Sequence, residues 1–262
     1  MIDCKKIAKK HKDELKSYIK TNNWTGALAV LQVGEDPASN SYIKGKRADC
    51  EEVGITFNHY QYDDNVTTDM LIDDIQELNN DPYIKGIIVQ LPLPKHLDVD
   101  LILNSIVDEK DVDGFKHTSK FDPCTPKGVM MVLDHLKINV DGQICCVIGR
   151  GFVGKPMVEL LTKRNATIFW CNSHTSPTKM RVLTGMSRVV VTATGQAGLI
   201  KYVNPGVAVI DVGISRGEDG KLYGDVDRSC YDEDKFITPV PGGVGLMTRV
   251  ALLENVVHGC NS

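Results

Sequence analysis

Apolar runs of strand length alternate along this chain with longer stretches in which apolar residues return at helical period, the pattern of a parallel sheet covered by helices. Ile7, Leu15 and Ile19 mark an opening helix, ALAVLQV (27–33) a buried strand, and Ser39 to Val53 a second helix. ITFNHY (55–60) follows as a strand and Thr67 to Leu78 as a helix. GIIVQ (86–90) is a strand halted by Leu91-Pro92-Leu93-Pro94, because proline donates no ladder hydrogen bond. The alternation resumes with the strand QICCVIG (143–149), a helix from Val153 to Leu161, a strand from Ala166 to Trp170, and the strands VVVTATG (189–195) and VAVIDVG (207–213). The expected fold class is therefore α/β, with a boundary between Pro123 and Gly128.

The chemistry sits at the ends of these elements. Tyr42 and Lys46, four apart on a helix, share one face one turn apart. In short-chain dehydrogenases a Tyr-x-x-x-Lys pair follows the dinucleotide loop within one domain. Here it precedes the glycine loop Gly149-Arg-Gly-Phe-Val-Gly154, so it belongs to a separate domain, and two domains are expected to face one cleft. Gln90 and the turn Lys110-Asp-Val-Asp-Gly-Phe115 fall outside strand ends, where ligands of open α/β sheets collect. The glycine loop lies between a strand and a helix, the Rossmann context. Gly149, Gly151 and Gly154 allow a tight turn and close backbone approach to a pyrophosphate seated on the helix N-terminus. No acid ends the next strand to bind a ribose 2′-hydroxyl. Cys171-Asn-Ser-His-Thr175 and Arg150 offer neutral donors and a cation, which suit a 2′-phosphate, so NADP is favoured over NAD. Ser173 and Thr175 alternatively serve only to turn the chain before Pro177. Thr194 and Gly195 end a strand where the nicotinamide end of a cofactor would lie.

Composition narrows the partners. With 262 residues the chain has room for two domains, and 42% hydrophobic with 24% charged residues is ordinary for a globular protein. No apolar run approaches bilayer length, and the charged opening MIDCKKIAKKHKDELKSYIK lacks the core of a signal peptide, so a cytoplasmic protein with no membrane partner is expected. The sequons at Asn65 and Asn165 are then expected to carry no sugar. The eight cysteines include no Cys-x-x-Cys pair, which points to reduced thiols and no metal site. A net charge of −4 argues against nucleic acid as a partner.

Further segments carry a resemblance over nearly the whole chain. Asp36-Pro-Ala-Ser with Tyr42-x-x-x-Lys46, VQLPLP (89–94), KDVDGF (110–115), PCTPKG (123–128), ITPVPGGVG (237–245) and the closing MTRVALLENVV are similar to the bifunctional methylenetetrahydrofolate dehydrogenase/methenyltetrahydrofolate cyclohydrolase family. The resemblance implies a folate-binding catalytic domain of residues 1–125 plus 246–262, the last helix returning to it, and a Rossmann domain of residues 126–245. It implies NADP-dependent oxidation of 5,10-methylenetetrahydrofolate, then hydrolysis to 10-formyltetrahydrofolate. Lys46 would be essential for hydrolysis, Gln90 would position it, Tyr42 would pack on the folate and Asp113 would bind the pterin. Leu91, Pro92, Pro241, Gly242 and Gly243 would line the folate, and Thr248 would join the cofactor contacts. A homodimer is implied as well. A lysine acting near neutral pH needs burial or a neighbouring cation, and Lys44 and Arg47 are near in sequence, so Lys46 is expected to point inward.

The chain departs from the family pattern in places. Its glycine loop is one residue shorter and lacks the family's serine. Asn172 stands where histidine is common, Leu246 replaces a proline, and the segment from Lys116 to Asp122 is short. These leave open a cyclohydrolase without dehydrogenase activity. Another two-domain NADP oxidoreductase of the shikimate-dehydrogenase kind and a non-catalytic folate or dinucleotide sensor are the remaining readings. Without the resemblance, Lys46 would be a solvated helix lysine, Tyr42 a packing residue, Asp113 a turn aspartate and Gln90 a strand-end amide.

Overall fold

The computed structural model describes every residue except His117, 233–234 and 260–262, and of Ala38 only the backbone. Its contacts group into two units: Lys10–Cys124 with Arg249–Ser262, and Met1–Lys9 with Thr125–Thr248. The chain changes unit at Lys9/Lys10, at Cys124/Thr125 and again at Thr248/Arg249, where boundaries at 125/126 and 245/246 were expected. The first nine residues, expected with the folate-binding domain, group instead with the dinucleotide unit, where the Ile2 N–H donates to the Ile237 carbonyl at 2.9 Å.

The first unit is built on a three-stranded parallel sheet of order β2-β1-β3. Helix α1 (Cys4–Thr21) leads to β1 (Ala27–Val33), α2 (Pro37–Val53), β2 (Thr56–Tyr62), α3 (Thr68–Asn80), β3 (Ile84–Val89) and the short α4 (Val99–Asn104). Every residue of the central β1 is buried, which is why it reads as an apolar run broken only by Gln32, whereas the edge strand β2 is half-exposed and polar. Leu31, Leu71, Ile75, Ile87, Ile102 and Ile106 belong to one core that binds α3 and α4 to the sheet. Helix α4 escaped the sequence reading because six residues are too few to establish a period.

The second unit holds α5 (Cys124–His135), β4 (Ile144–Ile148), α6 (Gly154–Lys163), β5 (Thr167–Cys171), α7 (Pro177–Met186), β6 (Val189–Thr192) and β7 (Ala208–Asp211). A small hairpin of β8 (Ser215–Arg216) and β9 (Leu222–Tyr223) follows, then β10 (Phe236–Ile237); α8 (Val244–His258) begins in this unit and from Arg249 onward belongs to the first. The five-stranded sheet is parallel throughout, with order β10-β7-β6-β4-β5. Strand order reverses at β4, which pairs with β5 on one side and β6 on the other. The glycine loop leaving β4 therefore lies at the topological switch point, where doubly wound sheets bind ligands.

Candidate active site

Helix α2 delivers Lys46. Asp36 starts the helix by accepting the Ser39 N–H at 2.7 Å, and Pro37 fills the first turn, where its missing N–H is no loss. That cap places the helix start two residues before the expected Ser39. Lys46 is half-buried and donates from Nζ to Gln90 Oε1 at 3.1 Å. Gln90 is held through both its backbone and its side chain: its N–H donates to the Leu31 carbonyl at 2.8 Å, and its side-chain Nε2 donates to the Leu91 carbonyl at 2.8 Å. With Nε2 committed to a carbonyl, only the amide oxygen is left to face Lys46. Tyr42 stands one turn earlier on α2 with 49% of its surface exposed. Leu91 is half-buried and Pro92 exposed, joined by a cis peptide bond. The nearby cation Arg47 lies 4.8 Å over the Phe57 ring.

Two residues that the sequence reading passed over hold α2 in place. Gln32 is buried in β1; its Nε2 donates to Asn40 Oδ1 at 2.6 Å and to the Gly34 carbonyl at 3.1 Å, and its Oε1 lies 3.0 Å from His59 Nε2. Burial, helped by the Arg47 charge, lowers the His59 pKa, so a neutral ring donates through Nε2. Asp49, also buried, accepts from Lys12 Nζ at 3.1 Å and Arg249 Nε at 2.5 Å. The lone amide within ALAVLQV was the visible signal for Gln32. Nothing in the local sequence separates Asp49 from a solvated helix acid.

The KDVDGF turn is pinned by buried polar groups. Lys110 Nζ donates to the carbonyls of Leu78, Asn79 and Asp81, closing the C-terminal end of α3. Asp111 accepts the Lys116 N–H at 3.0 Å, and burial holds its carboxyl above the ordinary range. The Val112 carbonyl accepts from Asn255 Nδ2 at 2.8 Å. Gly114 takes a φ of +72° with Pro123 packed against it, leaving no space for a side chain. Asp113 emerges half-buried from this frame, and among the described residues no bond joins its carboxylate to Lys46 or Gln90. Lys46 and Gln90, 44 residues apart in the chain, are thus two predicted residues whose side chains the structure brings into contact.

In the second unit, Gly149 has a φ of +115°, and its backbone is tied to β5 through the N–H, which donates to the Cys171 carbonyl at 3.1 Å. A Cβ at Gly154 would fall on the Gly149 carbonyl oxygen, so only glycine closes this turn. The N-cap of α6, Val153, supplies no side-chain acceptor, and a Cβ at Gly151 would meet open space. Arg150 lies over the Trp170 ring, and no hydrogen bond or ion pair engages it among the described residues. Ser173 is exposed, while Thr175 Oγ1 accepts the Asn172 N–H at 3.1 Å and so serves the turn. An open glycine turn, an uncapped helix start and an uncommitted guanidinium fit a dinucleotide phosphate.

Thr194 and Gly195 are held by an acid that the sequence reading did not single out. Asp225 is fully buried and accepts from Thr192 Oγ1 at 2.7 Å, the Thr194 N–H at 2.7 Å and the Gln196 N–H at 2.8 Å. Asp211 supports it in turn, accepting the N–H groups of Asp225 at 3.0 Å, Val226 at 2.9 Å and Gly213 at 3.1 Å. Burial raises the Asp211 pKa to about 6 against those hydrogen bonds. A Cβ at Gly213 or Gly224 would collide with one of these two carboxylates, so the glycines are where the acids approach the backbone. Pro241 is exposed, and Gly242 takes a φ of +92°. Gly243 is buried against the Pro239 carbonyl. Thr248 Oγ1 lies 3.1 Å from Thr125 Oγ1 and 3.2 Å from the Val244 carbonyl.

Fold and site together define a two-unit α/β protein with a Rossmann-type dinucleotide unit and a lysine–glutamine pair in the other unit. Residues 2–113 match the family described as tetrahydrofolate dehydrogenase/cyclohydrolase, catalytic domain, and residues 123–262 match its NAD(P)-binding domain. The chain belongs to this family. A relative called bifunctional protein FolD from Agathobacter rectalis is 42% identical, with 98% of each chain covered. The crystal structure of a bifunctional FolD methylenetetrahydrofolate dehydrogenase/cyclohydrolase from Campylobacter jejuni superposes with a TM-score of 0.92 at 40% identity, covering 99% of this chain and 98% of that one. A FolD structure from Trypanosoma brucei, complexed with NADP and an inhibitor, gives 0.91 at 30% identity, covering 100% and 97%.

Proposed function

We propose that this protein oxidises 5,10-methylenetetrahydrofolate to the 5,10-methenyl form with NADP and hydrolyses that product to 10-formyltetrahydrofolate. The observation that carries the reading is the Lys46 Nζ to Gln90 Oε1 hydrogen bond of 3.1 Å, on a chain that matches both domains of the family. NADP, the cofactor in the Trypanosoma brucei FolD complex, supplies the electron acceptor.

Hydrolysis requires water to add to an already electrophilic carbon, the bond from that carbon to the ring nitrogen to break, one water proton to move to that nitrogen and the other to be released to solvent. Lys46 Nζ is the proton-handling group, and Gln90 fixes its direction through an amide whose own orientation is set by the Leu91 carbonyl. Tyr42 offers its exposed ring, one turn before Lys46, as a face for the folate, and Asp113 accepts from the pterin. Leu91, Pro92 and the Pro241-Gly242-Gly243 loop contact the remaining folate surface. Gly149, Gly151, Gly154 and the α6 N-terminus receive the pyrophosphate, Arg150 and Ser173 the 2′-phosphate, and Thr194, Gly195 and Thr248 the nicotinamide end. Asp225 keeps two backbone N–H groups of the Thr194 turn facing inward, so the turn presents a constant contour.

Seven described cysteines are free and buried, which supports work in a reducing compartment such as the cytoplasm; Cys260 lies outside the described residues. A homodimer is part of the proposal, and light scattering on the purified chain tests it. The enzymatic test follows absorbance with methylenetetrahydrofolate plus NADP or NAD, and with methenyltetrahydrofolate alone. Reduction of NADP together with methenyl hydrolysis is the expected result. Hydrolysis without reduction of either cofactor would leave a cyclohydrolase only, and faster reduction of NAD would overturn the roles given to Arg150 and Ser173.

A further inference from the structure

Trp170 occupies an unusual place for a large aromatic residue. It sits near the end of β5 with 37% of its surface exposed, on the face opposite Phe169, which packs into the core of its unit. Its indole Nε1–H donates to the Gly149 carbonyl at 2.7 Å. Together with the Gly149 N–H to the Cys171 carbonyl, this commits both backbone polar groups of the first loop glycine to neighbouring residues of β5. The same indole ring carries the Arg150 guanidinium, whose carbon lies 5.0 Å from the ring centroid.

These two contacts answer a specific problem of this chain. Its glycine loop is one residue shorter than the family pattern and lacks the usual serine, so the loop has lost both length and a hydroxyl donor. Stacking on an aromatic ring occupies the face of a guanidinium and leaves its in-plane N–H groups free for a phosphate. Arg150 has no other polar engagement among the described residues, so every in-plane donor is available. A free arginine side chain would have to be ordered at the moment of binding, whereas one resting on Trp170 has lost part of that freedom beforehand.

We infer that Trp170 is a positioning residue that presents Arg150, through the short glycine loop, to the 2′-phosphate of the cofactor, and so sets the preference for NADP over NAD. The inference rests on the NADP reading above. Trp170 touches no reacting atom; it acts through Arg150 and Gly149. Trp170→Leu removes both the ring face and the N–H donor, and Trp170→Phe removes the donor while keeping a face.

The test compares cofactor KM and kcat for NADP and NAD in wild type, the two Trp170 variants, Arg150→Ala and the double variant. Trp170→Leu is expected to raise the KM for NADP about tenfold and that for NAD less than threefold, with Trp170→Phe between it and wild type, the size of one or two lost weak contacts. In the Arg150→Ala background the same substitution is expected to change the NADP to NAD ratio by less than twofold. Equal weakening of both cofactors, or an effect undiminished without Arg150, overturns the inference and leaves Trp170 a structural residue. A wild-type enzyme that reduces neither cofactor, or prefers NAD, removes the NADP reading and this inference with it. An NADP-preferring wild type with an unaffected Trp170→Leu variant removes the inference alone.

A binding measurement stands apart from turnover and from the folding of any Trp170 variant. In a Trp24→Phe background Trp170 is the sole tryptophan. Titration with 2′,5′-ADP is expected to change its emission at lower concentrations than 5′-AMP does. Identical titrations with the two probes overturn the inference.

Discussion

The Lys46 region and the Thr194 turn solve opposite problems. Among the described residues Lys46 hydrogen-bonds to one side chain, Gln90, and it remains half-exposed. The Thr194 turn is held by a fully buried carboxylate with three donors, itself seated on a second buried carboxylate with three more. A group that must move protons has to keep access to water and substrate, so it is oriented lightly and by a neutral partner. A backbone surface that must match a rigid ligand gains from being fixed in advance, and charged acceptors buried beside it fix it strongly. Damage to the first region should therefore appear in rate, and damage to the second in folding.

Substitutions can break or sharpen that contrast. The largest effect is expected from Lys46→Met, which should slow methenyl hydrolysis about a thousandfold, the scale of a lost general acid or base, while the urea midpoint stays near wild type. Retention of full hydrolysis would remove Lys46 from the mechanism. Asp225→Ala should do the reverse, lowering stability by about 3 kcal/mol because several buried donors lose their acceptor, as read by urea denaturation. A loss under 1 kcal/mol would mean that the Thr194 turn holds itself.

Asp211 predicts a pH signature of similar size. Its folded carboxyl titrates at about 6, above the ordinary value of an unfolded aspartate near 3.9, so the native state binds the proton more tightly. Its contribution to stability is then fully present below about pH 4 and falls by roughly 3 kcal/mol at most as pH rises to about 6. Asp211→Asn should lack that downward slope, and comparing urea midpoints of the two proteins at pH 4, 5, 6 and 7 checks it. The smallest effect is expected from Gln90→Leu, about tenfold on methenyl hydrolysis, since it removes one orienting hydrogen bond worth about 1.5 kcal/mol. A drop as large as that of Lys46→Met would show that the pair acts as a unit rather than as base and guide.

Much of this architecture was legible along the chain. The buried strand 27–33, the halt after Gln90 and the strand–glycine–helix turn at 144–154 are local features, and apolar period with proline and glycine placement identifies them. Gln90 and Lys46 were individually visible, although their contact joins residues 44 apart. The elements that escaped were α4, α5, α7, the β8–β9 hairpin and β10, of which α4 and the three strands are too short for period to carry information. The supporting residues escaped for a different reason. Asp49, Asp111, Asp211 and Asp225 are acids, a residue type that is exposed by default, and only their surroundings turn them into buried acceptors.

The chain by itself determined the α/β class, the strand ends where chemistry gathers, the glycine turn and the family, because those depend on neighbours in sequence and on motifs in a fixed order. The tertiary structure decided which polar groups meet: Gln90 Oε1 facing Lys46, Asp225 under the Thr194 turn, Trp170 against Gly149 and Arg150, and the opening residues beside Ile237. Those pairings arise because a buried donor or acceptor must find a partner wherever packing brings one, and that place is set by the approach of distant segments rather than by the residues alongside it.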